Sequence, residues 1–193
     1  MLKSIYNWVI SKSGHPHAKW YLFGISFAES SFSPFPPDPL MVPMVIQNKD
    51  KAWYYAWITT LASVTGGILG YAIGFYLFQK IGIPVLKAYG LMDKLEVFQT
   101  AFHKWGFWAI VIKAFTPIPF KLVTITCGAL KFSFWKFLLA STLSRGLRFY
   151  ILAGILYKYG PKMHDLIERN MMLVFTVFLG LLIGGFFIVK YLI

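Results

Sequence analysis

The sequence predicts an all-α integral membrane protein built as an inverted repeat. Each half would consist of a re-entrant helical hairpin and a transmembrane helix, and a further C-terminal transmembrane helix would follow. Composition is the first observation: the 193 residues are 58% hydrophobic and only 13% charged, with a mean hydropathy of +0.62, whereas about a quarter of a soluble domain is charged. The second and third are two proline-rich breaks inside apolar sequence and a pattern that the two breaks share.

Residues 1–19 predict an interfacial N-terminal segment of a single membrane domain that covers residues 1–193. Leu2, Ile5 and Val9 form an apolar stripe at helical spacing beside polar residues, which is typical of a helix that lies in the plane of the interface.

Residues 20–79 form the first repeat, and its hairpin covers Trp20–Ile46. Each arm is shorter than the ~20 residues that a crossing needs, and the prolines between the arms exclude one straight helix. Irregular backbone survives at membrane depth only where protein buries it or where it lines a wet cavity. A re-entrant hairpin with Glu29 and Asp38 near its tip is therefore predicted. A surface loop between two helices is the alternative.

The rest of the first repeat is a transmembrane helix over Ala52–Gln79, which has no charged residue for 28 positions. Gly66, Gly70 and Gly74 recur every four residues and so share one face of this helix. Small residues let another backbone come close. The expected partner is a hairpin arm of the same chain, and a homodimer seam is the competing interpretation.

Four segments follow the first repeat. An amphipathic connector at residues 80–105 would lie at the interface. Residues 106–157 would form the second repeat, with a hairpin over Gly106–Leu130 and a span over Phe137–Tyr157. A polar loop is predicted at Lys158–Asn170, and residues 171–190 would form the C-terminal span.

The two breaks share a hydroxyl–Pro–x–Pro–x–charge pattern, which begins at Ser33 and again at Thr116, 83 positions on. Only one span separates the hairpins, so the second would enter from the opposite face. That inverted topology is the layout of many secondary transporters, with the site near the midplane. Asp38 and Lys121 occupy equivalent positions with opposite charge. The hairpin-shaping prolines are Pro34, Pro36, Pro37, Pro117 and Pro119.

Six ionisable residues are predicted at membrane depth, where each charge costs at least about 2.5–3.5 kcal/mol. The substrate-binding candidates are Lys113, Lys121, Arg145 and Arg148, and the proton-coupling candidates are Glu29 and Asp38. The net positive excess suits an anionic guest, and arginine suits phosphate. The alternative is a set of buried ion pairs that only fix the hairpins.

The charge balance and the single cysteine limit the partners and cofactors. The net charge of +12 comes from 19 basic and 7 acidic residues, and in so apolar a chain it predicts contact with anionic lipid headgroups and not with nucleic acid. Cys127 stands alone, so no intrachain disulfide or cysteine-based metal cluster can form. No cofactor, metal site or enzymatic activity is expected, because the catalytic constellations are missing.

The motifs together resemble the DedA family, also called the VTT or SNARE-associated family, and in particular its YqaA-like branch. The resemblance covers roughly residues 20–160. It depends on Ala28-Glu29-Ser30-Ser31 leading into Pro34-Phe35-Pro36-Pro37-Asp38, on the stripe Gly66–Gly74, on Lys113 with Pro117-Ile118-Pro119, and on Ser144-Arg145.

The resemblance implies a bacterial inner-membrane protein that moves lipids across the bilayer, as a flippase or scramblase. Undecaprenyl phosphate or phospholipids would be the substrates. It also implies that Glu29 and Asp38 serve proton coupling, and that Lys113, Lys121 and Arg145 serve function. A proton-coupled small-ion or drug transporter, a lipid phosphatase and a purely structural membrane protein are the rival classes. A homodimer is compatible with the sequence.

Overall fold

A computed structural model describes residues 17–32, 36–88, 90, 92–112, 114 and 119–169, the last nine of them by backbone alone. The predicted interfacial helix and the C-terminal span lie outside the described residues. Pro34, Lys113 and Pro117 lie outside them as well.

Every secondary-structure element of the described residues is helical, which confirms the predicted all-α class. The elements are α1 (Ala18–Ser31), α2 (Asp38–Gln47), a 3-10 turn (Lys49–Lys51), α3 (Ala52–Leu77), a π-helical turn (Phe78–Gly82), α4 (Ile83–Ala88), α5 (Met92–Ile112), α6 (Phe120–Ala129) and α7 (Phe134–Arg169).

Among these, the continuous helical stretch Lys49–Ala88 is the one that is long and apolar enough to cross a bilayer, judged by length and composition. It contains the predicted span Ala52–Gln79. The other predicted span in this part of the chain, Phe137–Tyr157, is helical but falls outside the same criterion, because Arg145 and Arg148 lower its hydropathy.

Three prolines of the breaks lie at helix starts. Pro37 directly precedes α2, and Pro39 stands in the first turn of that helix, where a missing N–H leaves no hydrogen bond unmade. Pro119 precedes α6 in the same way. Both helices are ten residues long, so a short helix follows each break.

The central helix is α3. Helix α1, which precedes the first break, and helix α6, which follows the second break, both pack on it, and α7 packs on it too. Helices α2 and α5 pack on α7. Each of the long helices α3 and α7 therefore contacts one helix that precedes a break and one helix that follows a break.

Glycines of α3 permit this packing. A Cβ at Gly66 would overlap the backbone of Phe27 in α1, and a Cβ at Gly74 would overlap the backbone of Ile125 in α6. At Gly70 it would overlap the hydroxyl of Thr124. The glycine face thus contacts helices of this chain, as the first of the two interpretations of the stripe expects.

Two apolar clusters complete the packing. One joins α1, α2, α3 and α7 through residues that include Leu22, Met41 and Phe149. The other joins α5, α6 and α7 through residues that include Ile110, Cys127 and Phe137.

Two predicted boundaries differ from the structure. Helix α5 runs through the junction placed between residues 105 and 106, so the amphipathic connector and the first arm of the second hairpin form one helix. The predicted polar loop at Lys158–Asn170 is wrong, because α7 continues to Arg169. Polarity is a poor sign of a loop in this stretch, because Lys, Met, Leu, Glu and Arg are all good helix formers.

Candidate functional site

Arg145 lies at the centre of the candidate site. It is carried by α7 and is 1% exposed, among the largest fully buried side chains of the described residues. Its Nη2 donates to Glu29 Oε2 of α1 at 2.7 Å, and the Glu29 side chain is 11% exposed. A sequence-predicted base and a sequence-predicted acid therefore meet in the protein interior.

Two aromatic rings lie close to the Arg145 guanidinium. The ring centroids of Phe120 and Phe149 lie 4.8 and 4.6 Å from its central carbon, which is cation–π geometry. Phe120 is the first residue of α6, so Arg145 contacts α6 as well as α1. Only the edge of the guanidinium remains for hydrogen bonds, and on that edge Nε and Nη1 are buried without a partner.

Arg148 pairs with the other acid. Its Nη2 donates to Asp38 Oδ2 at 2.6 Å, with side-chain exposures of 32% and 26%. Asp38 opens α2, where a carboxylate is also favoured by the helix dipole. The second carboxylate oxygen, Oδ1, is buried without a partner.

The two arginines, three residues apart on one helix face, thus bind the two helices that flank the first break. Glu29 belongs to α1, and Asp38 belongs to α2. Both contacts are neutral as pairs, so they fit the alternative in which ion pairs fix the hairpin. They are equally compatible with a site in which a ligand competes for the arginines. The positive excess predicted from sequence then depends on Lys121, half-buried in the first turn of α6, and on Lys113.

A layer of hydroxyl groups adjoins Glu29. Ser30 Oγ donates to Glu29 Oε2 at 3.2 Å and shares a hydrogen bond of 2.6 Å with Ser63 Oγ of α3. Ser31 Oγ donates to the Gly66 carbonyl at 2.9 Å, and Thr124 Oγ1 of α6 donates to the Ser30 carbonyl at 3.2 Å. This layer links three helices beside the carboxylate.

Sequence reasoning missed Ser63 and Thr124. Ser63 lies one helical turn before Gly66, so its place near the close-packing face was the available signal. Thr124 lies one turn after Phe120 and offered none.

Two serines of α7, Ser141 and Ser144, are also absent from the residues that the sequence assigns to the site. Both are fully buried, and neither hydroxyl has a hydrogen-bond partner. The signal for them is their spacing, because Ser141, Arg145 and Arg148 recur at four and three residues on one helix face.

Metal ligation receives no support from the geometry, since no three His, Cys, Asp or Glu side chains come together within the described ranges.

Comparison with known proteins gives one family and several relatives. A sequence model of the VTT domain matches residues 35–158. A protein of Haemophilus influenzae, itself uncharacterised, is 29% identical over 187 residues, which cover 97% of each chain. An uncharacterised protein of Histophilus somni is 30% identical over 82% of this chain and 83% of its own.

A third relative, an uncharacterised protein of Methanocaldococcus jannaschii, is 30% identical over 66% of this chain and 76% of its own. No solved structure matches the chain.

Proposed function

Because this chain belongs to the VTT-domain family of membrane proteins, also called the DedA family, we propose that it is a transporter that translocates a phosphate-bearing lipid across the bilayer. Undecaprenyl phosphate and phospholipids are the candidate substrates. The proposed location is the cytoplasmic membrane of a bacterium, which the Haemophilus relative supports.

The observation that carries this proposal is Arg145. A guanidinium that is 1% exposed, between two phenyl rings, is costly to bury. Glu29 neutralises its charge but uses one nitrogen, and two further nitrogens have no partner. A site that serves stability alone gains nothing from unpartnered donors, since each buried polar group without a hydrogen-bond partner costs about 1–3 kcal/mol. A phosphate group would use them, because arginine matches its oxygens with a planar fork.

The Glu29–Arg145 contact supports a proposal of proton coupling. A phosphate at Arg145 would bring a second negative charge beside Glu29, on a cation that neutralises only one. Protonation of the carboxylate would relieve this repulsion, since nearby like charges favour the neutral form of an acid. Substrate binding and proton uptake would then be linked, with Glu29 as the proton acceptor and Asp38 as a second acid on the neighbouring helix.

The test is transport in vesicles. Purified full-length protein is reconstituted into vesicles of phosphatidylethanolamine and phosphatidylglycerol that carry tail-labelled phosphatidylglycerol, and dithionite then reports the label that has reached the outer leaflet. We expect the protein to accelerate exchange, and an imposed pH gradient to change its rate. Glu29→Gln should remove the response to the gradient, and Arg145→Lys should lower the rate.

Glu96→Gln is the matched control, because Glu96 is an exposed carboxylate on α5. Exchange no faster than in protein-free vesicles would refute lipid transport for this substrate. Equal rates for wild type and for both variants would remove the roles given to Glu29 and Arg145.

The hydroxyl chain from Glu29 through Ser30 to Ser63 favours a second candidate, a proton-coupled transporter of small ions or drugs. Such a chain could pass a proton without any lipid movement. Proton entry into the same vesicles, followed with a trapped pH dye while the labelled lipid stays in place, would select this candidate.

A further inference from the structure

Hydroxyl groups inside helices usually find a partner in the helix itself, by donating to the carbonyl four residues earlier. Five threonines of the described residues do so: Thr59 to Tyr55 at 2.7 Å, Thr60 to Ala56 at 2.7 Å, Thr65 to Leu61 at 2.9 Å, Thr100 to Glu96 at 2.9 Å and Thr142 to Leu138 at 2.8 Å. Ser141 and Ser144, in the same stretch of α7, do not. Both are fully buried, so neither hydroxyl is hydrated at the protein surface.

The two serines adjoin the unpartnered edge of Arg145 in the sequence of α7. Ser141 precedes Arg145 by one helical turn, a spacing that makes two side chains neighbours on the helix surface, and Ser144 is the residue directly before Arg145. Together they offer Nε, Nη1 and two hydroxyls, all buried and all without a partner. Every one of these groups can donate a hydrogen bond, and the two nitrogens can only donate.

Several buried donors without acceptors in one turn of a helix match one class of ligand, an anion with several oxygen atoms. We propose that Ser141, Ser144 and the Nε–Nη1 edge of Arg145 form a phosphoryl-binding site, in which the serines select the ligand. The two phenyl rings lie against the guanidinium, and its N–H groups point outward in the plane of the fork, so the ligand would approach in that plane. Glu29 keeps its bond to Nη2, on another nitrogen. The identification of the ligand as a lipid headgroup rests on the proposed function, whereas the phosphoryl chemistry does not.

The experiment is a binding titration of purified full-length protein in a neutral detergent. The probes are dioctanoyl phosphatidic acid and inorganic phosphate, each measured by calorimetry. We expect Ser141→Ala and Ser144→Ala each to weaken binding of the phosphatidate about tenfold, the effect of a hydrogen bond to a charged group. Thr142→Ala is the matched control, because Thr142 is exposed and its hydroxyl already bonds to Leu138. It should leave binding unchanged.

Thermal stability gives an independent readout. Without ligand, Ser141→Ala and Ser144→Ala remove buried unpartnered hydroxyls, so both variants should melt at the same temperature as the wild type or higher. A structural role would produce the opposite shift. Added phosphatidate should raise the melting temperature of the wild type more than that of either variant.

The binding titration and the transport assay together distinguish the phosphoryl-binding site from the proposed lipid transport. Phosphatidate binding that requires the serines, in a protein that moves no lipid in vesicles, would support the site and contradict lipid transport. Inorganic phosphate binding as tightly as phosphatidate, with the same dependence on the serines, would support the site and identify a free anion as its ligand. The inference is overturned if the wild type binds neither probe, or if the doubly substituted Ser141→Ala/Ser144→Ala protein binds both as the wild type does.

Discussion

The pair of Glu29 and Arg145 should be strongly coupled in stability. The expected perturbations are Glu29→Met, Arg145→Met and the double substitution, which replace each charged side chain by an apolar one of similar length. Both side chains are nearly buried and their charged atoms lie 2.7 Å apart. Removing one partner leaves a buried charge without compensation, which costs about 3–5 kcal/mol. Removing both leaves none, so the double variant should be less destabilised than either single one.

The assay is the free energy of unfolding in mixed micelles, from a titration with sodium dodecyl sulfate that is followed by circular dichroism. A double-mutant cycle over the four proteins then gives the coupling energy. The transport assay on the same proteins adds the functional readout. The double variant should regain stability without regaining transport, because it lacks both the anion-binding and the proton-accepting group.

Two results would contradict the reasoning. A loss below about 1 kcal/mol in each single variant is the signature of a solvent-screened surface pair, and it would show that the ion pair is not buried. Full transport by a stable double variant would show that the pair only holds the helices together.

Three further predictions concern neighbouring contacts. Asp38→Asn should lower the free energy of unfolding by about 1 kcal/mol or less, because that ion pair is about a quarter to a third exposed; a loss as large as that of Glu29→Met would contradict this. Gly66→Val should destabilise the protein by about 1–3 kcal/mol or more through overpacking, because its side chain would meet the α1 backbone; Gly24→Val is the control, since nothing lies within 4 Å of a Cβ there, and equal melting temperatures would refute the close approach. Ser63→Ala should cost about 1 kcal/mol by removing the hydrogen bond to Ser30, measured by the same titration, and an unchanged stability would argue against that bond.

The sequence predicts those features of the fold that depend on residue type and on spacing along the chain. Prolines cannot continue a helix, so the breaks at Pro37 and Pro119 follow from residue type alone. The spacing of Gly66 and Gly74 predicts a close-packing face, and the structure identifies what covers it. The acids and arginines of the site can be named because charge is rare in apolar sequence.

The pairing within the site cannot be predicted in the same way. The repeat sets Asp38 against Lys121, whereas the partner that the structure gives Asp38 is Arg148, a residue 110 positions away in the sequence. The extension of α7 to Arg169 escapes prediction because polarity describes the surroundings of a residue and not its backbone. The spacing of the two serines can be read from the sequence, but their lack of a partner cannot, since whether a hydroxyl is satisfied depends on neighbours that only tertiary structure supplies.

The two ion pairs differ in their exposure, and this difference predicts an order of events. The side chains of the pair between α2 and α7 are about a quarter to a third exposed, whereas those of the pair between α1 and α7 are nearly buried. Dissolved salt screens the first far more than the second. Increasing ionic strength should therefore weaken the ion pair between α2 and α7 before the one between α1 and α7, and spin labels on α2 and α7 would report a broader distance distribution while labels on α1 and α7 keep theirs. Such stepwise release is possible because α1 and α2 are separate helices, so neither must move as a continuation of the other.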